Sequence, residues 1–195
     1  LEPTQVGVDL MVGSLIKNPG GGLAPTGGYI VGRKDLVENA AMRLTTPGIG
    51  GECGASLGNN RLLFQGFFMA PHIVAQAIKT AMMKKIGFES SPAPDEARND
   101  IIQMVTLKNA ENMKKFCRGV QAGAPVDSYV TPEPWQMPGY NVPVIMAAGA
   151  FVQGSSIELS ADGPMREPYT LYVQGGITYE SGKLGIMMAV NEMLS

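Results

Sequence analysis

Gly13-Ser14-Leu15-Ile16-Lys17-Asn18-Pro19-Gly20-Gly21-Gly22 is the most informative segment of this 195-residue chain. It follows an apolar run at residues 6–12 that predicts a buried strand. Such a strand would deliver Ser14 and Lys17, three residues apart, into a turn rich in glycine. A lysine amine among glycines and apolar neighbours can lose its proton and attack carbonyl carbons. Lys17 is therefore the first candidate for a catalytic residue.

The motif Ser14-x-x-Lys17 has three interpretations when it is taken alone. The first is an acyl-transfer site with a serine nucleophile and a lysine base. That site opens a helix, whereas Pro19 and the glycines here end one, and no Ser-Asp-Asn or Lys-Thr-Gly partner is present. The second is a lysine that forms a Schiff base with pyridoxal phosphate (PLP), whose phosphate the serine binds. The third is an exposed lysine in a flexible turn. The Ser-x-x-Lys motif alone favours this third interpretation.

The composition describes a globular chain, with 45% hydrophobic and 16% charged residues. A net charge of −2 argues against a nucleic-acid or membrane-surface partner, and no apolar run approaches the ~18–20 residues of a membrane span. Cys53 and Cys117 have no metal-site spacing, and the single histidine, His72, excludes a metal site of clustered histidines. The first residues resemble no secretory signal, so we expect a cytoplasmic protein.

The first half of the chain predicts a further strand at residues 29–31 and a helix that begins at Lys34 and ends near Leu44. A second glycine loop follows at residues 45–54. A long apolar helix is predicted over residues 62–86, kinked or broken at Pro71. A polar, proline-bearing segment at residues 90–99 is the best candidate for a domain boundary.

The second half of the chain has the pattern of a small α+β lobe. Asn109 can cap a helix that Gly123 and Pro125 end. The apolar face of this helix is predicted to contain Met113, Phe116, Cys117 and Val120. Strands are predicted at residues 101–107, 144–151, 156–159 and 169–174. The predicted closing helix, at residues 181–194, would bury Leu184, Met187, Met188 and Met193.

Residues 7–17 resemble the lysine segment of the PLP enzymes of cysteine and methionine metabolism. A longer similarity extends over essentially the whole chain. It is to the methionine gamma-lyase / cystathionine beta-lyase-related family, whose members are named aluminium-resistance proteins. The matching motifs are Ser-Leu-Ile-Lys-Asn-Pro-Gly-Gly-Gly (14–22), Thr-Gly-Gly-Tyr-Ile-Val-Gly-Arg (26–33), Arg-Leu-Thr-Thr-Pro-Gly-Ile-Gly (43–50), Gln-Gly-Phe-Phe-Met-Ala-Pro-His (65–72), Pro-Gly-Tyr (138–140), Ser-Ile-Glu-Leu-Ser-Ala-Asp-Gly-Pro (156–164) and Tyr-Val-Gln-Gly-Gly (172–176).

This resemblance implies an α/β fold, namely the C-terminal part of the PLP-dependent aspartate-aminotransferase-like fold (fold type I). Residues 1–88 would be the end of the PLP-binding large domain with a connecting helix, and residues 89–195 the small α+β domain. Family members are about twice as long as these 195 residues. The absent N-terminal half would carry the phosphate turn, the ring stacked on the pyridine and the acid that pairs with its nitrogen. By this resemblance Asp9 is not that acid.

The activity implied by the resemblance is PLP-dependent carbon–sulfur lysis of a sulfur-containing amino acid, by β- or γ-elimination. Lys17 would hold the cofactor, pyridoxal 5'-phosphate, as a Schiff base and act as the catalytic base, and Ser14 would bind its phosphate. Arg166 is the candidate for the substrate carboxylate, although its spacing departs from the common Arg-x-Ser-x-Gly arrangement. Arg43 is a second candidate. No metal is implied.

The resemblance also implies a homo-oligomer, a dimer or tetramer, for the full-length enzyme. The partner of each site is a small amino-acid substrate, and neither nucleic acid nor membrane is expected. As a fragment, the chain is expected to lack activity, because half of the pocket would be missing. The alternative is a non-catalytic binding or scaffold protein built on the same lobes.

Overall fold

The computed structural model describes residues 2–46, 48–50, 52, 57–82, 88–152, 154–155 and 157–195. The chain divides into two compact units, Leu1–Met69 and Ala70–Ser195. The described residues form two separate sheets with helices, a mixed α/β arrangement. Cys53 lies outside the described residues. The domain division predicted between residues 88 and 89 stays a prediction.

The first unit is built on a two-stranded antiparallel sheet. Leu10 pairs with Gly32 at one end of this sheet, and Ser14 pairs with Gly28 at the other. The strand predicted at residues 6–12 therefore begins later, because Pro3–Val6 forms a short 3-10 helix that ends at a left-handed Gly7. The elements of this unit are β1 (Leu10–Ser14), β2 (Gly28–Gly32), α1 (Lys34–Leu44) and the first part of α2 (Asn60–Ala81).

Helix α2 continues through Pro71 without a break. The sequence predicted either a kink or a break at Pro71, and the prediction of a break is wrong. A proline removes one backbone hydrogen bond from a helix, and the packing of a long helix can offset that loss. The predicted end at Ile86 lies outside the described residues, which give Ala81 as the last helical position. No helix in the described part of the chain combines the length and the apolar character that crossing a membrane requires.

The second unit contains a five-stranded antiparallel sheet with the order β3-β4-β7-β6-β5. Strand β3 was not predicted, because its polar residues resemble a linker. The strand predicted at residues 156–159 lies instead at Ser160–Pro164. The elements are β3 (Glu89–Ser91), β4 (Gln103–Thr106), α3 (Ala110–Ala122), β5 (Val144–Ala148), β6 (Ser160–Pro164), β7 (Thr170–Gln174) and α4 (Tyr179–Leu194).

Helix α3 confirms both its predicted cap and its predicted face. The Asn109 side chain accepts a hydrogen bond from the Asn112 N–H at 2.8 Å. All four predicted apolar positions are buried in the core of the second unit, together with residues of the sheet. The helical period of the apolar residues was therefore sufficient to predict this face.

Helix α4 buries only part of the face that the sequence predicted, since Met188 and Met193 are half-buried and Met193 packs against the core. Leu184 and Met187 are 54% and 57% exposed. The buried positions of α4 are instead Gly182, Gly185, Ile186 and Ala189. Small residues allow α4 to pack closely on α3, so the helix–helix contact selects the glycine and alanine face over the larger side chains.

Candidate active site

Lys17 lies three residues after the end of the first strand, where the chain enters a tight turn. Strand β1 ends at Ser14, and Lys17 is the N-cap of a 3-10 helix, Asn18–Gly20. The Lys17 side chain is exposed and Ser14 is half-buried. Both predicted residues therefore lie at one end of the hairpin, within one unit of the chain.

Successive backbone hydrogen bonds hold the turn that carries Lys17. The Gly20 N–H donates to the Lys17 carbonyl, and the Gly21 N–H donates to the Asn18 carbonyl, both at 2.9 Å. Leu15 on the incoming side donates to the Gly27 carbonyl at 2.9 Å, which ties the two ends of the connection together. The backbone at Lys17 is therefore fixed by local structure, although its side chain is exposed.

The turn is also in backbone contact with helix α2. Gly20, Gly21 and Gly66 are all buried. A Cβ atom added to Gly66 would overlap the Gly20 carbonyl oxygen, and one added to Gly21 would overlap the Gly66 carbonyl oxygen. The pattern of the sequence did not predict this contact. The available signal was the isolated glycine within the helical pattern of residues 62–86, since glycine there usually marks a close approach.

Tyr29 covers the backbone beside Ser14. Gly13 and Tyr29 are cross-strand partners in the hairpin. A Cβ atom on Gly13 would overlap the Tyr29 ring, so the ring lies against the glycine. An aromatic ring packed on a cross-strand glycine shields the strand backbone and pins its register.

Asp9 lies at the opposite end of the hairpin from Ser14. Its carboxylate pairs with the Arg33 guanidinium, with 3.3 Å between Oδ1 and Nη1, and Arg33 also contacts Asp35 at 2.7 Å. At the rise of an extended strand, five residues separate Asp9 from Ser14 by roughly 16 Å. Asp9 therefore has a structural partner of its own, away from the Lys17 turn.

The predicted substrate-binding arginine belongs to the second unit. Arg166 is exposed in the turn between β6 and β7, where its N–H donates to the Pro164 carbonyl at 2.8 Å. Arg43, the second candidate, is exposed in the last turn of α1. Arg166 and Lys17 belong to different units of the chain, and the roles of both arginines stay predictions.

Burial shifts the pKa of two ionisable side chains in the second unit. Burial, and to a lesser extent the nearby Asp162 carboxylate, raises the pKa of the Cys117 thiol to about 12. Cys117 is thus a neutral thiol at physiological pH and is not a nucleophile. Burial also raises the pKa of Asp162, since it disfavours the charged carboxylate.

Glu158 was also missed as a buried carboxylate. It is only 4% exposed. Its Oε1 accepts a hydrogen bond from the Phe151 N–H at 3.0 Å, while Oε2 has no hydrogen-bond partner among the described residues. The side chain lines a cavity of about 230 Å³. One carboxylate oxygen therefore holds the backbone at Phe151, just after β5.

The donor groups of the Lys17 turn fit two ends of PLP. An exposed primary amine suits the aldehyde, and a hydroxyl three residues earlier on the chain suits an oxygen of the phosphate. The pyridine ring needs further partners that these residues do not supply. As for metals, the described positions contain no group of three or more His, Cys, Asp or Glu side chains able to hold an ion.

Comparison with known proteins gives matches along the whole chain. The protein YnbB of Bacillus subtilis (strain 168) is 53% identical over 199 residues, which cover 100% of this chain and 47% of that protein. A protein of Lactobacillus delbrueckii subsp. bulgaricus is 52% identical over 98% of this chain and 64% of its own length. The chain thus spans about half to two thirds of the length of these relatives.

Solved structures of similar proteins have the same fold over this region. A Listeria monocytogenes protein, provisionally named a cystathionine beta-lyase involved in aluminium resistance, has a TM-score of 0.90 at 53% identity, covering 98% of this chain and 49% of that one. A carbon-sulfur lyase involved in aluminium resistance from Clostridium novyi NT has a TM-score of 0.87 at 52% identity, covering 100% and 46%. The family profile described as methionine gamma-lyase matches residues 1–194. The chain belongs to the methionine gamma-lyase family.

Proposed function

We propose that this chain is the C-terminal part of a PLP-dependent carbon–sulfur lyase with the aspartate-aminotransferase-like fold. The substrate is a sulfur-containing amino acid, cleaved by β- or γ-elimination. The proposal is carried by one observation: a chain of the methionine gamma-lyase family has Ser14 and Lys17 at the end of a strand, in a turn fixed by backbone hydrogen bonds. The names of the Listeria and Clostridium proteins support the carbon–sulfur lyase class.

When bound, PLP supplies an electrophilic aldehyde and a ring that takes up the electron pair released at Cα. Lys17 would hold the cofactor covalently through Nζ. Once its amine is free, it would accept the Cα proton of the substrate, because an unprotonated amine next to that carbon is a suitable general base. The ordered backbone at Lys17 limits the positions that Nζ can reach, which favours proton transfer at one carbon.

Ser14 and Arg166 would bind the two anionic groups. The Ser14 hydroxyl can donate a hydrogen bond to a phosphate oxygen, and Ser14 precedes Lys17 by three residues. A guanidinium binds a carboxylate through two parallel hydrogen bonds. Arg166 would therefore favour amino-acid substrates over amines that lack a carboxylate. The remaining contacts to the pyridine ring would come from the part of the enzyme outside this sequence. We further propose that the full-length enzyme is cytoplasmic and forms a homo-oligomer, either a dimer or a tetramer.

The proposal is tested by locating the cofactor in the full-length enzyme. Borohydride reduction followed by peptide mapping should find a phosphopyridoxyl group on Lys17. A Lys17→Ala variant should lose the label and the release of a 2-oxo acid from sulfur amino acids. Lys34→Ala, which removes an exposed lysine of α1, is the matched control and should keep both. A label on another lysine, or full turnover by Lys17→Ala, would refute the proposal and favour a non-catalytic scaffold.

The 195-residue chain provides a second test. We expect it to release no 2-oxo acid, because the ring-binding half of the pocket is not part of it. Mixing it with the separately produced remainder of the enzyme should restore label and turnover together. Turnover by the chain alone would contradict the proposed division of the site.

A further inference from the structure

Gly66 contacts the Lys17 turn from a helix that is 49 positions further along the chain. It lies in the interior of α2 and is buried. The contact is reciprocal, because Gly66 has no room for a Cβ atom beside the Gly20 carbonyl and Gly21 has none beside the Gly66 carbonyl. Helix α2 and the turn therefore meet backbone to backbone.

Helix formation does not explain a glycine at this position. Apart from proline, glycine is the least favourable residue in a helix interior, and alanine is the most favourable. An alanine at position 66 would thus help α2 as an isolated helix. The close approach of the Gly20 carbonyl is what excludes it.

The contact is linked to the backbone of Lys17 through Gly20. The Gly20 N–H donates to the Lys17 carbonyl at 2.9 Å, and the Gly20 carbonyl accepts from the N–H groups of Leu23 and Ala24 at 2.9 and 3.1 Å. Gly20 is therefore the central link of the turn. A displacement of Gly20 as a whole would strain its hydrogen bond to the Lys17 carbonyl as well as those that its own carbonyl accepts.

We infer that Gly66 is a positioning residue for Lys17: the bare backbone of α2 sets where the lysine turn sits. This inference rests on the proposed function. A methyl group at position 66 would have to separate the two backbones by roughly 1 Å to reach an ordinary contact distance. The turn yields before the helix does, because α2 is 22 residues long, with helical hydrogen bonds before and after Pro71, whereas the 3-10 helix has only three residues.

The test compares Gly66→Ala with Gly119→Ala in the full-length enzyme. Gly119 lies in α3 and has no room for a Cβ atom beside the backbone of Ala189, so its substitution makes the same kind of clash in the other unit. Three quantities are measured: the thermal unfolding midpoint, the Kd for PLP, and the fraction of Lys17 that carries the borohydride-fixed label. Turnover is recorded as kcat and KM separately.

We expect both variants to lower the unfolding midpoint, and only Gly66→Ala to weaken PLP binding, by about tenfold or more. In Gly66→Ala the label on Lys17 should fall, and kcat should fall by on the order of 10²-fold, as for other small displacements of a reacting group. Equal PLP affinity in Gly66→Ala and wild type would overturn the inference. It would also be overturned if both variants lost affinity in proportion to their unfolding midpoints. A wild-type enzyme without label at Lys17 would instead overturn the proposed function, and the inference with it.

A second variant tests the same contact if Gly66→Ala does not fold. Gly21 has a left-handed backbone, with φ of 57°, which asparagine tolerates better than most residues. Gly21→Asn would press its Cβ on the Gly66 carbonyl and should reproduce the loss of PLP affinity. Its control is Gly7→Asn, since Gly7 has φ of 98° with open space around it, and this variant should bind PLP normally. Normal binding by Gly21→Asn would contradict the inference.

Discussion

Gly119 of α3 lies directly against the backbone of Ala189 in α4, with no space for a Cβ atom between them. This contact explains why α4 buries its small residues and leaves Leu184 and Met187 largely exposed. Helices that approach this closely gain contact along their backbones, and large side chains on the facing side would hold them apart. The packing of α3 on α4 therefore depends on the absence of a side chain at position 119.

We predict that Gly119→Val destabilises the second unit. Inserting a branched side chain between packed backbones typically lowers the free energy of unfolding by about 1–3 kcal/mol. Met187→Ala is the matched control on the exposed face of α4 and should change it by less than about 0.5 kcal/mol. Urea unfolding followed by circular dichroism measures both values. A larger effect for Met187→Ala would restore the face predicted from the sequence.

Cys117 should make the stability of the chain fall at alkaline pH. Its pKa is raised to about 12 from an ordinary value of 9.0 by burial, and then by Asp162. Between these two values the unfolded thiol releases its proton while the folded thiol keeps it, so rising pH lowers the free energy of the unfolded state relative to that of the folded state. We expect the free energy of unfolding to decline from about pH 9 upward, in part because of this group.

Replacing the thiol isolates this contribution. Cys117→Ala should unfold with a weaker alkaline decline, measured as the difference in unfolding free energy between pH 8 and about pH 10.5. Iodoacetamide at neutral pH should alkylate Cys117 only after denaturation. Rapid alkylation of the folded chain at Cys117 would show that the thiol is neither buried nor neutral.

Asp162 should lower the stability of the folded chain at neutral pH. Its pKa is raised by burial, so the folded state holds the proton more tightly than the unfolded state does. Stability from this group is present below the ordinary carboxyl pKa and is lost as the pH rises through the raised value. Asp162→Asn should therefore unfold at a higher temperature than wild type at pH 7, with a smaller difference in acid. A lower unfolding temperature at pH 7 would show that the ionised carboxylate has a favourable partner.

The exposed phenylalanines of α2 should make the isolated chain associate. Phe64, Phe67 and Phe68 are 72%, 70% and 82% exposed, and their spacing puts them on neighbouring positions of one helix surface. Rings of roughly 150–250 Å² each form a patch as large as those that usually mark interfaces. Replacing all three by serine should increase the monomer fraction in size-exclusion chromatography with light scattering.

The matched control for this patch is the pair Leu184→Ser and Met187→Ser on α4. These side chains are also about half exposed, but they lie in the other unit and include no aromatic ring. We expect the pair to leave the association unchanged. If the phenylalanine variant and the α4 variant gained monomer equally, the association would not depend specifically on the phenylalanines of α2.

The sequence was most informative where one physical signal acted alone. The cap at Asn109 and the face around Phe116 follow from side-chain chemistry and helical period, and both are confirmed. Strand β2 and helix α1 were also predicted close to their observed bounds. The position of Ser14 and Lys17 at the end of the first strand followed from the apolar run and the glycines after it.

Predictions failed where contacts between distant segments outweighed local preference. The polar residues of β3 form a strand because β4 offers a partner edge, which composition cannot reveal. Helix α4 buries its glycines because of Gly119, a residue some sixty positions earlier in the chain. The contact between Gly66 and the lysine turn was missed for the same reason. Glycine has no side chain, so the close approach that it permits does not show in the pattern of apolar residues.

The turn after Lys17 also has little freedom to vary. Gly20 is enclosed by the Leu15 carbonyl and the Ala24 side chain, while Gly21 needs a left-handed backbone beside the Gly66 carbonyl. A saturation library over these two positions should return glycine almost alone at position 20, with asparagine as the least damaging replacement at position 21. The residues tolerated at each position would then define the steric limits of the turn from folding alone, without a measurement of enzyme activity.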